Sequence, residues 1–232
     1  MHPEVEKIIS RINELGIEVG LVTNGLLLDK LPKETLSKIT WIRISSGDNR
    51  TFPDKYREIL ERAVERGDMV DWAFSHVVTT APNYGLIKDV IKFANSHAFT
   101  HVRLVSDIFN AEKVPMDKVK KKVRDAGIDD SIVIYQERSA WAAGQEKCLI
   151  SLLKPVIGAD GMLYPCCGTQ YALDEPARDY EKMMCMGPAK DLDKIMMRQA
   201  CFNGAVCDKC FYSEYNHALE VLLSDVRHKR FV

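Results

Sequence analysis

Residues 16–25 read G-I-E-V-G-L-V-T-N-G. Residues 17–23 are short, apolar and β-branched, which predicts a strand, and Asn24-Gly25 is a turn signal. Upstream, Val5, Ile8, Ile9, Ile12 and Leu15 recur at the 3.6-residue spacing of a helix opened by His2-Pro3. Gly16 stops that helix. A helix therefore leads into a strand that ends at a turn, and the unit recurs downstream. Residues 40–45, 70–79, 101–105 and 131–135 read as strands, and 32–38, 53–65, 84–96 and 116–126 as helices between them. Such alternation predicts an α/β fold of parallel strands joined by right-handed helical crossovers.

Lys+Arg and Asp+Glu are nearly balanced, for a net charge of −1. This argues against a nucleic-acid binder or a basic membrane-surface protein. No apolar run reaches the roughly 18–20 residues that span a bilayer. Residues 1–15 are charged and helix-like rather than a secretory signal, so a cytoplasmic, reducing location is expected.

The seven cysteines are Cys148, Cys166, Cys167, Cys185, Cys201, Cys207 and Cys210. An odd count in a reducing compartment fits a metal or redox site better than a disulfide framework. The composition changes where the cysteines begin, which divides the chain into domains at 1–140 and 141–232. In the second, residues 150–157 and 162–165 read as two strands around G-A-D-G at 158–161, a hairpin signal. Residues 191–199 and 212–224 read as helices. Cys207-Asp208-Lys209-Cys210 is C-x-x-C, whose two sulfurs can converge from one turn. Cys148 and Cys166 flank the hairpin. Together these make a four-ligand set of Cys148, Cys166, Cys207 and Cys210, with Cys201 as the best substitute. Four thiolates suit either zinc or an iron–sulfur cluster. Cys185, between two methionines, reads as packing. Among other polar residues, Asp48 and Arg103 lie near strand ends where they could touch substrate, but a surface ion pair is the commoner outcome, and His76 and His101 read as packed or rim histidines rather than ligands.

The order C-(12 residues)-G-x4-C, a gap, then C-x2-C resembles the twitch or SPASM-type auxiliary cluster domain of radical SAM enzymes. The upstream residues agree. G-I-E-V-G-L-V-T-N-G at 16–25 is similar to the family's third barrel strand and its T-N-G turn. W-I-R-I-S-S-G-D at 41–48 resembles its fourth, and residues 77–83 and 101–106 its fifth and sixth. The resemblance implies an incomplete parallel (β/α) partial barrel followed by a small Cys-rich hairpin-plus-helix domain. It implies one auxiliary [4Fe–4S] cluster on the four cysteines, with a zinc-stabilised, non-enzymatic binding module as the alternative. By family position, Thr23, Asn24, Gly25, Ser45 and Asn83 would contact S-adenosylmethionine (SAM) or substrate; as turn and cap residues they are equally well explained.

The departure is large. The C-x3-C-x2-C motif that holds the family's SAM-cleaving cluster is missing, and no cysteine precedes Cys148. The resemblance therefore implies an N-terminally truncated chain without the first two barrel strands, binding SAM only if that part is supplied. The strand at 17–23 would then be a bare sheet edge, which predicts self-association or a partner chain carrying the missing barrel half. The substrate would be a small molecule or a peptide, and nothing in the sequence names it.

Overall fold

The alternation builds an all-parallel sheet of five strands whose order in space follows their order in the chain. They are β1 (Gly20–Thr23), β2 (Trp41–Gly47), β3 (Asp71–Val78), β4 (His101–Ser106) and β5 (Val133–Gln136). The helices are α1 (Val5–Glu14), α2 (Lys33–Leu36), α3 (Asp54–Arg66), α4 (Tyr84–Ser96) and α5 (Met116–Asp125). This is the partial-barrel α/β architecture expected. The computed structural model describes residues 2–108, 114–137, 142–173, 179–197 and 201–224. It divides into two compact units, Met1–Arg138 and Ser139–Val232. The expected domain boundary at 140 lies outside the described residues. Among the described residues no helix is long and apolar enough to cross a membrane.

In the first unit the sheet has two unlike faces, because side chains alternate along each strand. Ile42, Ile44, Trp72, Phe74, Val102 and Leu104 join Leu60, Ile87, Ile91 and Val119 from the helices in one core. Phe74 stacks on Phe99 with ring centroids 4.9 Å apart. The other face carries Val22, Trp41, Arg43, Ser45, Ser75, Arg103 and Ile134. Here the Trp41 indole lies over Gly20, its partner in the β1–β2 register, and a Cβ at Gly20 would fall inside that ring. Among the described residues β1 pairs with β2 alone. Val22 is 50% exposed and Ile17, just before the strand, 56%.

Asp48 corrects the surface ion pair read from sequence. Its side chain is only 2% exposed and lies 2.9 Å from Nε2 of the fully buried His76. Asp48 also accepts hydrogen bonds from the Thr79 backbone N–H (2.7 Å), the Thr79 hydroxyl (3.2 Å) and the Asn83 N–H (3.0 Å). On the other side of the ring, His76 Nδ1 is 3.1 Å from Ser46 Oγ. Burial alone raises the Asp48 pKa, but these hydrogen bonds and the imidazole charge outweigh it and hold the carboxyl below its ordinary 3.8.

The second unit has an antiparallel three-stranded sheet, β6 (Val156–Ile157), β7 (Met162–Tyr164) and β8 (Gly187–Pro188), in that order. Its helices are α6 (Ile150–Leu153), α7 (Tyr180–Met184), α8 (Leu192–Met197) and α9 (Ser213–Leu223). The hairpin at 158–161 forms: the Gly158 N–H donates to Met162 O at 2.8 Å. The long strand expected over 150–157 does not. Residues 150–153 close into a helical turn, which ends because Pro155 disfavours a helical Lys154 before it. Only Val156 and Ile157 remain to pair.

Asp48→Asn is expected to destabilise the chain by about 3 kcal/mol, the scale for breaking a buried pair. A depressed carboxyl pKa contributes stability that is present above 3.8 and lost as pH falls through the folded-state value. Urea unfolding from pH 7 to 3 should therefore show the gap between wild type and variant shrink below pH 3.8. A gap independent of pH would refute this assignment.

Candidate metal centre

Cys148, Cys166, Cys207 and Cys210 line one cleft in the second unit. Each arrives by a different local device. Cys148 sits before α6 and pairs with Phe202 in an isolated bridge, its N–H donating to Phe202 O at 3.0 Å. The hairpin therefore does not place it, contrary to the sequence reading. Ser151, fully buried, donates its hydroxyl to Cys148 O at 2.6 Å and accepts the Phe202 N–H at 3.2 Å. Cys166 follows β7, and Thr169 donates its hydroxyl to Cys166 O at 2.9 Å. Cys207 and Cys210 are pinned from residues 142–144: the Gly144 N–H donates to Cys207 O at 2.8 Å and the Cys210 N–H to Ala142 O at 2.7 Å.

Gly144 and Gly204 let these segments approach. A Cβ at Gly144 would overlap Gly204 O and come within 2.9 Å of the Cys207 Cβ, and one at Gly204 would come within 2.6 Å of Gln145 O. Asn216 of α9 completes the frame. It is 3% exposed, accepts the Leu149 N–H at 2.6 Å, and donates to Lys147 O at 2.6 Å and to Gln145 Oε1. One amide thus fixes the loop that presents Cys148. The available signal in the sequence was an asparagine inside a helix, where its intrinsic propensity is poor.

The thiols share an electrostatic environment. Burial pushes Cys166 up to about 11, with repulsion from Cys167, Cys148 and Cys210 adding to it and the Gly168 N–H opposing it. Burial, then repulsion from Cys210, Cys166 and Cys148, pushes Cys207 up to about 12. Burial also raises Cys148, against the pull of the Ser151 and Ile150 N–H groups and with Cys210 and Cys201 repelling it. Cys201 is thus near Cys148 but does not line the cleft. Exposed Cys167 places its sulfur 3.1 Å from the Tyr212 hydroxyl. Cys185 packs with Tyr164, Ala172 and Met184.

Among the described residues no three His, Cys, Asp or Glu side chains are set to clasp one metal ion. Four sulfurs each 2.3 Å from a zinc ion would stand about 3.8 Å from one another, by tetrahedral geometry. The four cysteines line the walls of one cleft. The donor set suits either a zinc ion or an iron–sulfur cluster.

The strand-end residues stand at the C-terminal side of the parallel sheet, each with a local task. The Thr23 hydroxyl accepts the Gly25 N–H at 3.2 Å. Asn24 Oδ1 accepts the Leu26 N–H at 3.2 Å, while its carbonyl accepts the Tyr56 hydroxyl at 2.7 Å. Ser45 O accepts from Arg50 at 2.8 Å. Asn83 caps α4 by accepting the Leu86 N–H at 3.0 Å. Arg103 is bound to Ser75.

Asn216→Ala leaves the Leu149 N–H and the Lys147 carbonyl without this partner. A loss of about 1–3 kcal/mol is expected, the scale for an orphaned buried polar group, read as a fall in the second unit's melting temperature. An unchanged melting temperature would remove Asn216 from the frame.

No protein-family model matches the chain, and no curated protein matches it. Among solved structures it is similar to Streptococcus suis SuiB, with 13% identity and a TM-score of 0.48, over 78% of this chain and 50% of that one. It is likewise similar to Streptococcus suis SuiB bound to S-adenosylmethionine, with 12% identity and a TM-score of 0.47, over 75% and 48%. The chain spans about half the length of the solved structures it matches.

Proposed function

We propose that this chain is the C-terminal portion of a radical SAM-type iron–sulfur enzyme. Its second unit binds one auxiliary [4Fe–4S] cluster through Cys148, Cys166, Cys207 and Cys210. Its first unit contributes Thr23, Asn24, Gly25, Ser45 and Asn83 to the cofactor and substrate site. The observation that carries this reading is the convergence of four cysteines from three separate stretches of chain on one cleft. Four thiolates so close repel one another, and a cationic iron core among them turns that repulsion into binding. Such a cluster supplies one-electron transfer or an anchor for substrate. Around it, Asn216 and Ser151 hold the Cys148 loop, and backbone N–H groups from residues 150, 151 and 168 donate to the sulfurs.

These residues hold no C-x3-C-x2-C motif, so they do not cleave SAM by themselves. The bare edge of β1, with Ile17 and Val22 exposed beside it, is where a further strand would add. A partner bearing the remaining strands, or a second copy, is the proposed occupant.

Protein purified without oxygen should contain about four iron and four sulfide per chain. Cys207→Ser should lower both. One zinc and no sulfide after attempted reconstitution would overturn the cluster and leave a zinc-stabilised binding module. Reduced, reconstituted chain should form no 5′-deoxyadenosine from SAM, and its detection would overturn that part of the reading. Light scattering at low micromolar concentration should show self-association when no partner is present; a clean monomer counts against the β1 edge as a homotypic contact.

A further inference from the structure

Ser46 and His76 stand opposite one another in the β2–β3 register. Ser46 shares its strand face with Ile42 and Ile44, and His76 shares its own with Trp72 and Phe74, so both point to the helix side of the sheet. Ser45, next to Ser46 in the chain, points to the other side. The pairing sets Ser46 Oγ 3.1 Å from His76 Nδ1. Asp48 Oδ1 lies 2.9 Å from the other ring nitrogen, Nε2. A hydroxyl, an imidazole and a carboxylate thus follow one another in the order of a nucleophile, its base and the group that orients the base.

Asp48 decides where the protons sit. Its carboxyl, held below the ordinary 3.8, is ionised at neutral pH and can only accept. Nε2 must then carry the ring hydrogen and donate it to Asp48. In the neutral ring that leaves Nδ1 with its lone pair, and the hydrogen between Nδ1 and Ser46 belongs to the hydroxyl. The two nitrogens exchange the roles they have in serine proteases, while the carboxylate fixes the tautomer by the same logic. Asp48 is itself held still: Oδ1 also accepts the Asn83 N–H at 3.0 Å, and Oδ2 the Thr79 N–H at 2.7 Å and hydroxyl at 3.2 Å. His76 is wholly buried, whereas Ser46 is half-buried near the end of β2. The base is therefore shielded from water and the hydroxyl is not.

We propose that Ser46 is a nucleophile, with His76 as its general base and Asp48 as the positioning residue behind it, and that it takes the acyl group of a small carboxylic ester. Ser46 Oγ attacks the carbonyl carbon while its proton passes to Nδ1. The bond to the leaving oxygen breaks, and the alcohol departs with the proton from Nδ1. A water molecule, giving its proton to Nδ1 in turn, cleaves the O-acyl serine to the carboxylic acid, and that proton returns to Ser46 Oγ. Nothing is oxidised or reduced. The half-buried hydroxyl limits the acyl group to a short one. The site uses neither the cysteines nor SAM, so it stands or falls apart from the cluster.

Labelling of the full chain with a small fluorophosphonate, followed by peptide mapping, tests this. One phosphonyl group per chain is expected, on Ser46, and p-nitrophenyl acetate should place its acetyl group on the same residue. Ser46→Ala should abolish labelling. His76→Gln should slow it by about a hundredfold or more, the scale of a lost general base. Asp48→Asn, assayed well below its melting temperature, should slow it too, an effect on rate that lost stability alone would not produce. Ser96→Ala should leave labelling unchanged. The Ser96 hydroxyl also lies 3.0 Å from a ring nitrogen, that of His97, but it donates to Phe93 O at 2.9 Å. Labelling of another serine, or of none, overturns the proposal, as does equal labelling of the chain unfolded in urea. An unaltered rate in folded His76→Gln refutes the base. If that variant does not fold, the wild-type map and Ser46→Ala decide, since both read the site in the native sheet.

Discussion

A carboxylate buried at the end of a strand must collect donors, and what it collects fixes the chain around it. Asp48 gathers His76 from β3, both the N–H and the hydroxyl of Thr79, and the N–H of Asn83. One residue after β2 thereby dictates how the chain leaves β3 and where α4 begins. Asn83 is held by its backbone while its side chain caps that helix. The rim on which Ser45 and Asn83 sit is therefore set by a charge in the core, and its loops inherit the rigidity of the sheet. Ser46, on the far side of the His76 ring, extends the same constraint back into β2.

The second unit works differently. Its apolar cluster is small, built on Tyr164, Ala172 and Met184, against the extended aromatic and aliphatic core of the first. Shape there comes from backbone groups meeting at close range: Gly144 against Gly204, the bridges at Cys148 and Cys210, and the Asn216 amide. A small core of this kind commonly relies on a covalent or metallic staple, and the cysteines stand where one would act.

Much of the first unit was legible in the sequence, because buried parallel strands are short β-branched runs and the helices between them keep their 3.6-residue period. The five strands and their helices fall where that pattern put them, within a few residues. The second unit was harder to read for reasons its residues make plain. I-S-L-L at 150–153 is too short for periodicity to separate strand from helix, and the hydroxyl that decides the matter bonds a carbonyl three residues back. β8 is two residues long and pairs only through tertiary proximity. The grouping of four cysteines was legible from spacing, but the means of grouping was not, since the contact of Cys148 with Phe202 spans more than fifty residues. Asp48 looked like a surface charge because a single aspartate carries no sign of the donors that will surround it.

Strand order in the large sheet equals chain order, and this bears on how the protein is made. During synthesis each emerging strand finds its neighbour already present, and each crossover helix covers the seam just formed. No strand waits for one beyond its neighbour in sequence, yet each parallel pairing closes a crossover of about 20–30 residues, a separation that slows folding. The exception is β1, whose second edge cannot be satisfied by anything that follows it in this order. Within these five strands the sheet grows in one direction only, from β1 toward β5.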